Sequence, residues 1–186
     1  MVFLVRKMRH IADLREYRIL MVVDRQDLED QLSETAEHTG ELRYDTETKK
    51  IQNIIENRQA LVKLETDTAD LNLVMIHKFG ENKEYSLESL IKTGIVPKYE
   101  SFPVINNSEK ILVLIDEAHR SQGGEMGDNL FQAFPNAARI GFTGTPLITP
   151  RHKATTCERF GQEAGVFIDT YKMIDSVKDN ATVDIK

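Results

Sequence analysis

The chain has 186 residues, 40% of them hydrophobic, which is enough for one packed core. Lys and Arg total 24 against 30 for Asp and Glu, a net charge of −6, so a broad cationic face for a polyanion is excluded and any contact with nucleic acid must be local. A single cysteine, Cys157, excludes an internal disulfide, and the absence of any membrane-length apolar run or signal-peptide core points to a soluble cytoplasmic protein with no membrane partner.

In chain order, Val2, Val5, Met8 and Ala12 recur at helical spacing between Arg6, Lys7, Arg9 and Arg15, predicting an amphipathic helix. Ile19 to Val23 is an apolar run of strand length ending at Asp24-Arg25. Asp27 is placed to cap a helix on Leu28, Leu32 and Ala36, closed by Gly40. A second helical pattern runs through Ile51, Ile54, Ile55, Arg58, Leu61 and Val62, followed by a strand at Leu71–Ile76 that ends in His77-Lys78.

A short helix is expected near Leu87, Leu90 and Ile91, then a loop holding Pro97 and Pro103. Lys110 to Ile115 is the clearest buried strand and runs into Asp116-Glu117-Ala118-His119, and Ala138 to Phe142 runs into Thr143-Gly144-Thr145-Pro146. Apolar runs without alternation suit strands buried on both faces, and their alternation with helices predicts an α/β fold on a mainly parallel sheet. In such a sheet the residues at the strands' carboxyl ends share one edge, where ligands bind.

The chemistry-bearing residues fall at those ends. ATP hydrolysis requires a metal to neutralise phosphate charge and a group that orients the attacking water. Asp116 is suited to the magnesium shell and Glu117 to the water. An Asp-Glu pair after a strand is equally good chemistry for a solvated loop start, and Gly-Thr-Pro for a tight turn. The threonine step one strand-helix unit after the acidic pair favours the functional reading. Arg25 is also placed to pair with Asp27 or Asp30, Lys78 to be simply solvated, and His77 to be structural. Glu47-Thr48-Lys49 and Glu81-Asn82-Lys83 have the acidic-x-lysine form of nucleases but lack the preceding strand and acidic partner.

Leu114 to Gly123, Phe134 to Ala137 and Ile140 to Leu147 together closely resemble the motor (R, or HsdR) subunit of type I restriction enzymes. Val22 to Leu28 with Gln31, Ile76 to Phe79, and the terminal Phe160-Gly161, Tyr171 to Val177 and Ala181 to Val183 extend the resemblance over nearly the whole chain. It implies a RecA-like three-layer sandwich, with residues 1–150 a first superfamily-two motor lobe and 151–186 a connection towards a second. It further implies an ATP-dependent DNA translocase subunit of a site-specific deoxyribonuclease, using ATP and Mg2+, acting on double-stranded DNA beside methylation and specificity subunits.

Carried over by the resemblance, Asp116 holds the metal through water, Glu117 activates the hydrolytic water, and His119, with Thr143, Gly144 and Thr145, relays the nucleotide state. Arg25 and Lys78 contact DNA phosphates, with Asp24 fixing Arg25. The sequence departs from the pattern in holding no G-x-x-x-x-G-K-[ST] phosphate loop, so a lobe lacking its first strand, and weak or absent nucleotide binding by these residues alone, are expected. The alternatives are another superfamily-two helicase or remodelling ATPase, or a non-catalytic remnant that only binds partner subunits.

Overall fold

The computed structural model describes residues 1–40, 44–45, 50–51, 54–55, 58–65, 71–80, 102–121, 125–146, 156–163 and 165–182. They pack as two units, Met1–Pro146 and Leu147–Lys186. The expected helix near Leu87 and the Glu81-Asn82-Lys83 pattern lie outside the described residues.

The first unit is built on five strands: β1 (Arg18–Val23), β4 (Ile54–Ile55), β5 (Leu71–Met75), β6 (Ile111–Ile115) and β7 (Ala138–Gly141). Their order is β4-β5-β1-β6-β7 and every pairing is parallel. A two-residue antiparallel ribbon, β2 (Tyr44–Asp45) with β3 (Lys50–Ile51), stands apart from the sheet. At the centre, β1 is flanked on both sides, so Val22 pairs with Val74 and with Ile115. Strands β1, β5 and β6 are buried almost throughout, which is why their sequences are continuous apolar runs.

One face of the sheet packs Ile19, Met21, Val23, Leu71, Leu73, Met75, Leu112 and Leu114 against Val2, Val5 and Met8 of α1 (Val2–Arg9) and Ala36 of α2 (Gln26–His38). Burying each of the three α1 side chains contributes roughly 1.5–3 kcal/mol. The alternate strand positions face the other way, where Leu20, Asn72 and Ile111 line a small cavity with Leu64 and Phe134. Phe134 directly follows α5 (Glu125–Ala133), so both faces of the sheet are covered and the fold is an α/β RecA-like sandwich. Among the described residues this unit also holds α3 (Arg58–Leu61), α4 (Ala118–Ser121) and 3-10 turns at Val62–Glu65 and Ile76–Phe79.

Three elements differ from the sequence pattern. Ile54-Ile55, expected in a helix, pairs as a strand with Leu73 and Val74, because two β-branched residues fit the open edge of a buried strand, while Arg58–Leu61 coils and continues into a 3-10 turn at Val62–Glu65. The helix expected from Asp27 starts at Gln26 with Arg25 in extended backbone as its cap, so Asp27 lies in the first turn. On α2 Ala36 is buried as the apolar pattern expected, Leu32 is half-buried, and Glu29 and Ser33, which that pattern did not mark, are buried as well.

In the second unit, α6 (Thr156–Arg159) buries Thr156 and Cys157, and α7 (Met173–Lys178) is held at its start by a bond from the Lys172 N–H to the Asp175 carboxylate at 2.9 Å. No helix among the described residues is long and apolar enough to cross a membrane.

Candidate active site

Parallel pairing sends the carboxyl ends of β5, β1, β6 and β7 to one rim, in that order. His77-Lys78 follow β5, Asp24-Arg25 follow β1, Asp116 to His119 follow β6, and Thr143 to Thr145 follow β7. All nine sequence-predicted residues therefore share the rim, with the cationic ones on the β5/β1 half and the acidic box and threonines on the β6/β7 half.

The β6/β7 half is fixed by backbone bonds. The Asp116 N–H donates to the Val22 carbonyl at 2.9 Å, continuing the ladder one residue beyond β6. The Phe142 N–H donates to the Ile115 carbonyl at 2.8 Å and the Ala118 N–H to the Phe142 carbonyl at 2.9 Å, so the chain on both sides of the acidic pair is anchored. Between these anchors Glu117 takes a φ of +46°, a left-handed conformation that costs a residue with a Cβ about 1–2 kcal/mol. Its own N–H donates to Asp116 Oδ1 at 3.0 Å. Both residues are partly exposed, and their carboxylates have different partners, the Glu117 N–H for Asp116 and His119 for Glu117.

His119 joins the two clusters. Its Nδ1 lies 2.6 Å from Thr143 Oγ1 and 3.3 Å from Glu117 Oε2, and its Nε2 lies 3.1 Å from Thr145 Oγ1. Thr143 Oγ1 also accepts the Thr145 N–H at 3.1 Å, so that hydroxyl still has its proton and one lone pair to offer the imidazole. Gly144 sits between the threonines with nothing within 4 Å of where a Cβ would be and no left-handed φ, so the protein's own packing does not demand glycine there.

On the β5/β1 half, Arg25 and His77 are exposed and Asp24 and Lys78 half-buried. Partial burial and the neighbouring Lys78 hold the His77 pKa below its ordinary value of 6.5, against the opposing pull of Glu29 and Asp24. Glu29 is only 7% exposed, a buried carboxylate that the apolar pattern on Leu28, Leu32 and Ala36 passed over because a charged side chain gives no hydrophobic signal. No group of three or more His, Cys, Asp or Glu side chains among the described residues forms a metal cage.

The SWI2/SNF2 ATPase family model matches residues 1–186, the whole chain. The chain belongs to the SWI2/SNF2 ATPase family. It is 31% identical over 199 aligned residues to the type I restriction enzyme HindI endonuclease subunit of Haemophilus influenzae, covering 100% of this chain and 16% of that protein. The putative type I restriction enzyme MjaVIIIP endonuclease subunit of Methanocaldococcus jannaschii is 29% identical over 174 residues, covering 90% of this chain and 16% of that protein. The SsaAORF53P endonuclease subunit of Staphylococcus saprophyticus is 28% identical over 166 residues, 87% of this chain and 15% of that protein. The chain thus spans about a sixth of the length of these relatives, and the resemblance seen in its motifs is borne out across its whole extent.

Magnesium keeps most of its waters and takes one or two carboxylates plus phosphate oxygens rather than a protein cage, and Asp116, partly exposed just beyond β6, has the chemistry of such a ligand. The open space at Gly144 is likewise the kind of gap that lets a ligand approach backbone closely.

Proposed function

We propose that this chain is part of the ATP-driven DNA-translocating motor of a type I restriction enzyme endonuclease subunit, in which residues 1–150 form the first motor lobe and 151–186 lead towards a second. Asp116 holds the hydrated magnesium of Mg-ATP, and Glu117 orients and deprotonates the attacking water. Bound magnesium supplies charge neutralisation on the phosphates and polarises the γ-phosphoryl group. His119, Thr143, Gly144 and Thr145 carry the nucleotide state away from the acidic pair. Arg25 and Lys78 contact phosphates of double-stranded DNA, with Asp24 fixing Arg25. These contacts position the duplex without reading its bases, leaving sequence choice to partner subunits for methylation and specificity.

The observation that carries this reading is the His119 ring, placed with Glu117 Oε2 at 3.3 Å and Thr143 Oγ1 at 2.6 Å. A solvated loop start has no use for an imidazole joining a left-handed glutamate to the hydroxyls after a different strand. The chemistry does: the group that orients water has to be held, and its holder has to sense whether the γ-phosphate is present.

The test is ATP hydrolysis by the complete endonuclease subunit, with and without double-stranded DNA. Stimulation by DNA that Glu117→Gln abolishes while nucleotide binding persists is the expected result, and DNA-independent hydrolysis would contradict it. The 186 residues by themselves, with no G-x-x-x-x-G-K-[ST] sequence, are expected to turn over ATP poorly.

A further inference from the structure

The turn that carries His77 and Lys78 is held from the side by α5. Asn129 Nδ2 donates a 2.8 Å hydrogen bond to the Phe79 carbonyl. The Phe79 ring is fully buried, 5.8 Å from the Phe102 ring and 6.4 Å edge-on from the Phe134 ring just beyond α5. Next to it, a Cβ at Gly80 would crowd the His77 carbonyl at 3.1 Å and meet the Met126 side chain of α5 in ordinary contact at 3.7 Å. The backbone following Lys78 is thus registered against a helix, although Lys78 itself belongs to the rim.

The far end of the same helix is held from β7. α5 has no basic residue in its last turn, and Arg139 Nη2 supplies the missing donor, lying 3.4, 3.2 and 3.3 Å from the carbonyls of Phe131, Phe134 and Pro135. Its guanidinium also stacks 4.3 Å from the Phe131 ring. β7 ends at Gly141 and Thr143 follows, so one helix is pinned by Asn129 to the turn that follows β5 and by Arg139 to the strand leading to the His119 threonines.

We infer that α5 is a strut between the two halves of the rim, and that Asn129 is a positioning residue coupling the Lys78 turn to the hydrolytic cluster. This inference rests on the motor reading. A change in the β7 end that follows nucleotide state moves Arg139 and with it α5, and Asn129 passes that shift to the Phe79 carbonyl and the phosphate-contacting turn. The reverse path lets DNA at Lys78 bias the geometry around His119, as reciprocity of coupling requires.

The experiment measures basal ATPase, DNA-stimulated ATPase, the DNA concentration giving half-stimulation and the melting temperature in the complete endonuclease subunit. Asn129→Leu is expected to leave basal hydrolysis within about twofold while DNA stimulation falls roughly tenfold, the worth of one hydrogen bond made differently in two states. Asn129→Gln, which keeps an amide donor, should recover part of the loss. Combined with Lys78→Ala, Asn129→Leu should cost less than the two separately, since both break one path. Asn129→Asp, the same size without the donor, repeats the test if Asn129→Leu lowers the melting temperature. Full stimulation in the folded variants, or a proportional fall of basal and stimulated rates, would overturn the strut. Absence of DNA stimulation in the wild-type protein would instead overturn the motor reading beneath it.

Discussion

The two halves of the rim are held in different ways. At the ends of β6 and β7, backbone bonds from Asp116, Ala118 and Phe142 anchor the chain on either side of a left-handed Glu117, and an imidazole holds the two side-chain clusters together. At the ends of β5 and β1, charged side chains stand on a turn and a helix start, with Arg25 and His77 exposed. Aligning a water on phosphorus requires fixed geometry, whereas contacting a phosphate diester requires charge and reach. The contrast teaches where the sequence can be changed quietly and where it cannot.

The β6/β7 half should therefore respond most sharply. Glu117→Gln in the complete subunit should lower DNA-stimulated kcat by about 10²–10⁴-fold, the usual worth of a general base, without loss of ATP binding measured by equilibrium titration. Residual turnover within a few-fold of wild type would assign the water to another group. Thr143→Val, which keeps shape but removes the hydroxyl at His119, should cost roughly tenfold in stimulated turnover, with Thr143→Ser restoring most of it. Equal loss in both variants would mean that the methyl, not the hydroxyl, matters.

In Gly144→Ala, stability and turnover should part company. With open space and no left-handed φ at Gly144, melting should move by no more than the equivalent of about 0.5 kcal/mol, while ATP turnover falls because the added methyl meets the ligand. Unchanged turnover would show that nothing approaches that backbone.

On the β5/β1 half the effects should be graded. Lys78→Ala should weaken DNA binding uniformly across sequences and reduce the slope of log K against log salt by about 1, read from titrations at several salt concentrations. The smallest effect is on stability. The lowered His77 pKa means that the unfolded chain binds this proton more readily, so stability is lost as pH falls through 6.5 towards the folded value and is retained above 6.5. His77→Gln should flatten the melting temperature between pH 7 and the acid side of that window. An unaltered slope would place the acid sensitivity elsewhere.

Much of this arrangement is legible in the sequence, for physical reasons. Strands buried on both faces announce themselves as unbroken apolar runs, as at Ile19–Val23 and Ile111–Ile115, and the parallel connection then forces their polar ends onto one edge. Local pattern was blind to Ile54-Ile55, whose strand state comes from the open edge of β5 rather than from their own spacing. Glu29 was missed because a buried carboxylate breaks the apolar stripe that reveals a packed helix face. The positive φ of Glu117 and the reach of Arg139 to three carbonyls are likewise tertiary facts, set by contacts between residues whose spacing carries no signal.

The most direct test is a crystal structure of the complete subunit with magnesium and a non-hydrolysable ATP analogue. The hydrated metal is expected at the Asp116 carboxylate, with the γ-phosphate facing Glu117 and His119 still bridging to the threonine hydroxyls. A nucleotide seated at the opposite edge of the sheet, near Arg18 and Ile111, with 116 and 117 facing only solvent, would contradict it.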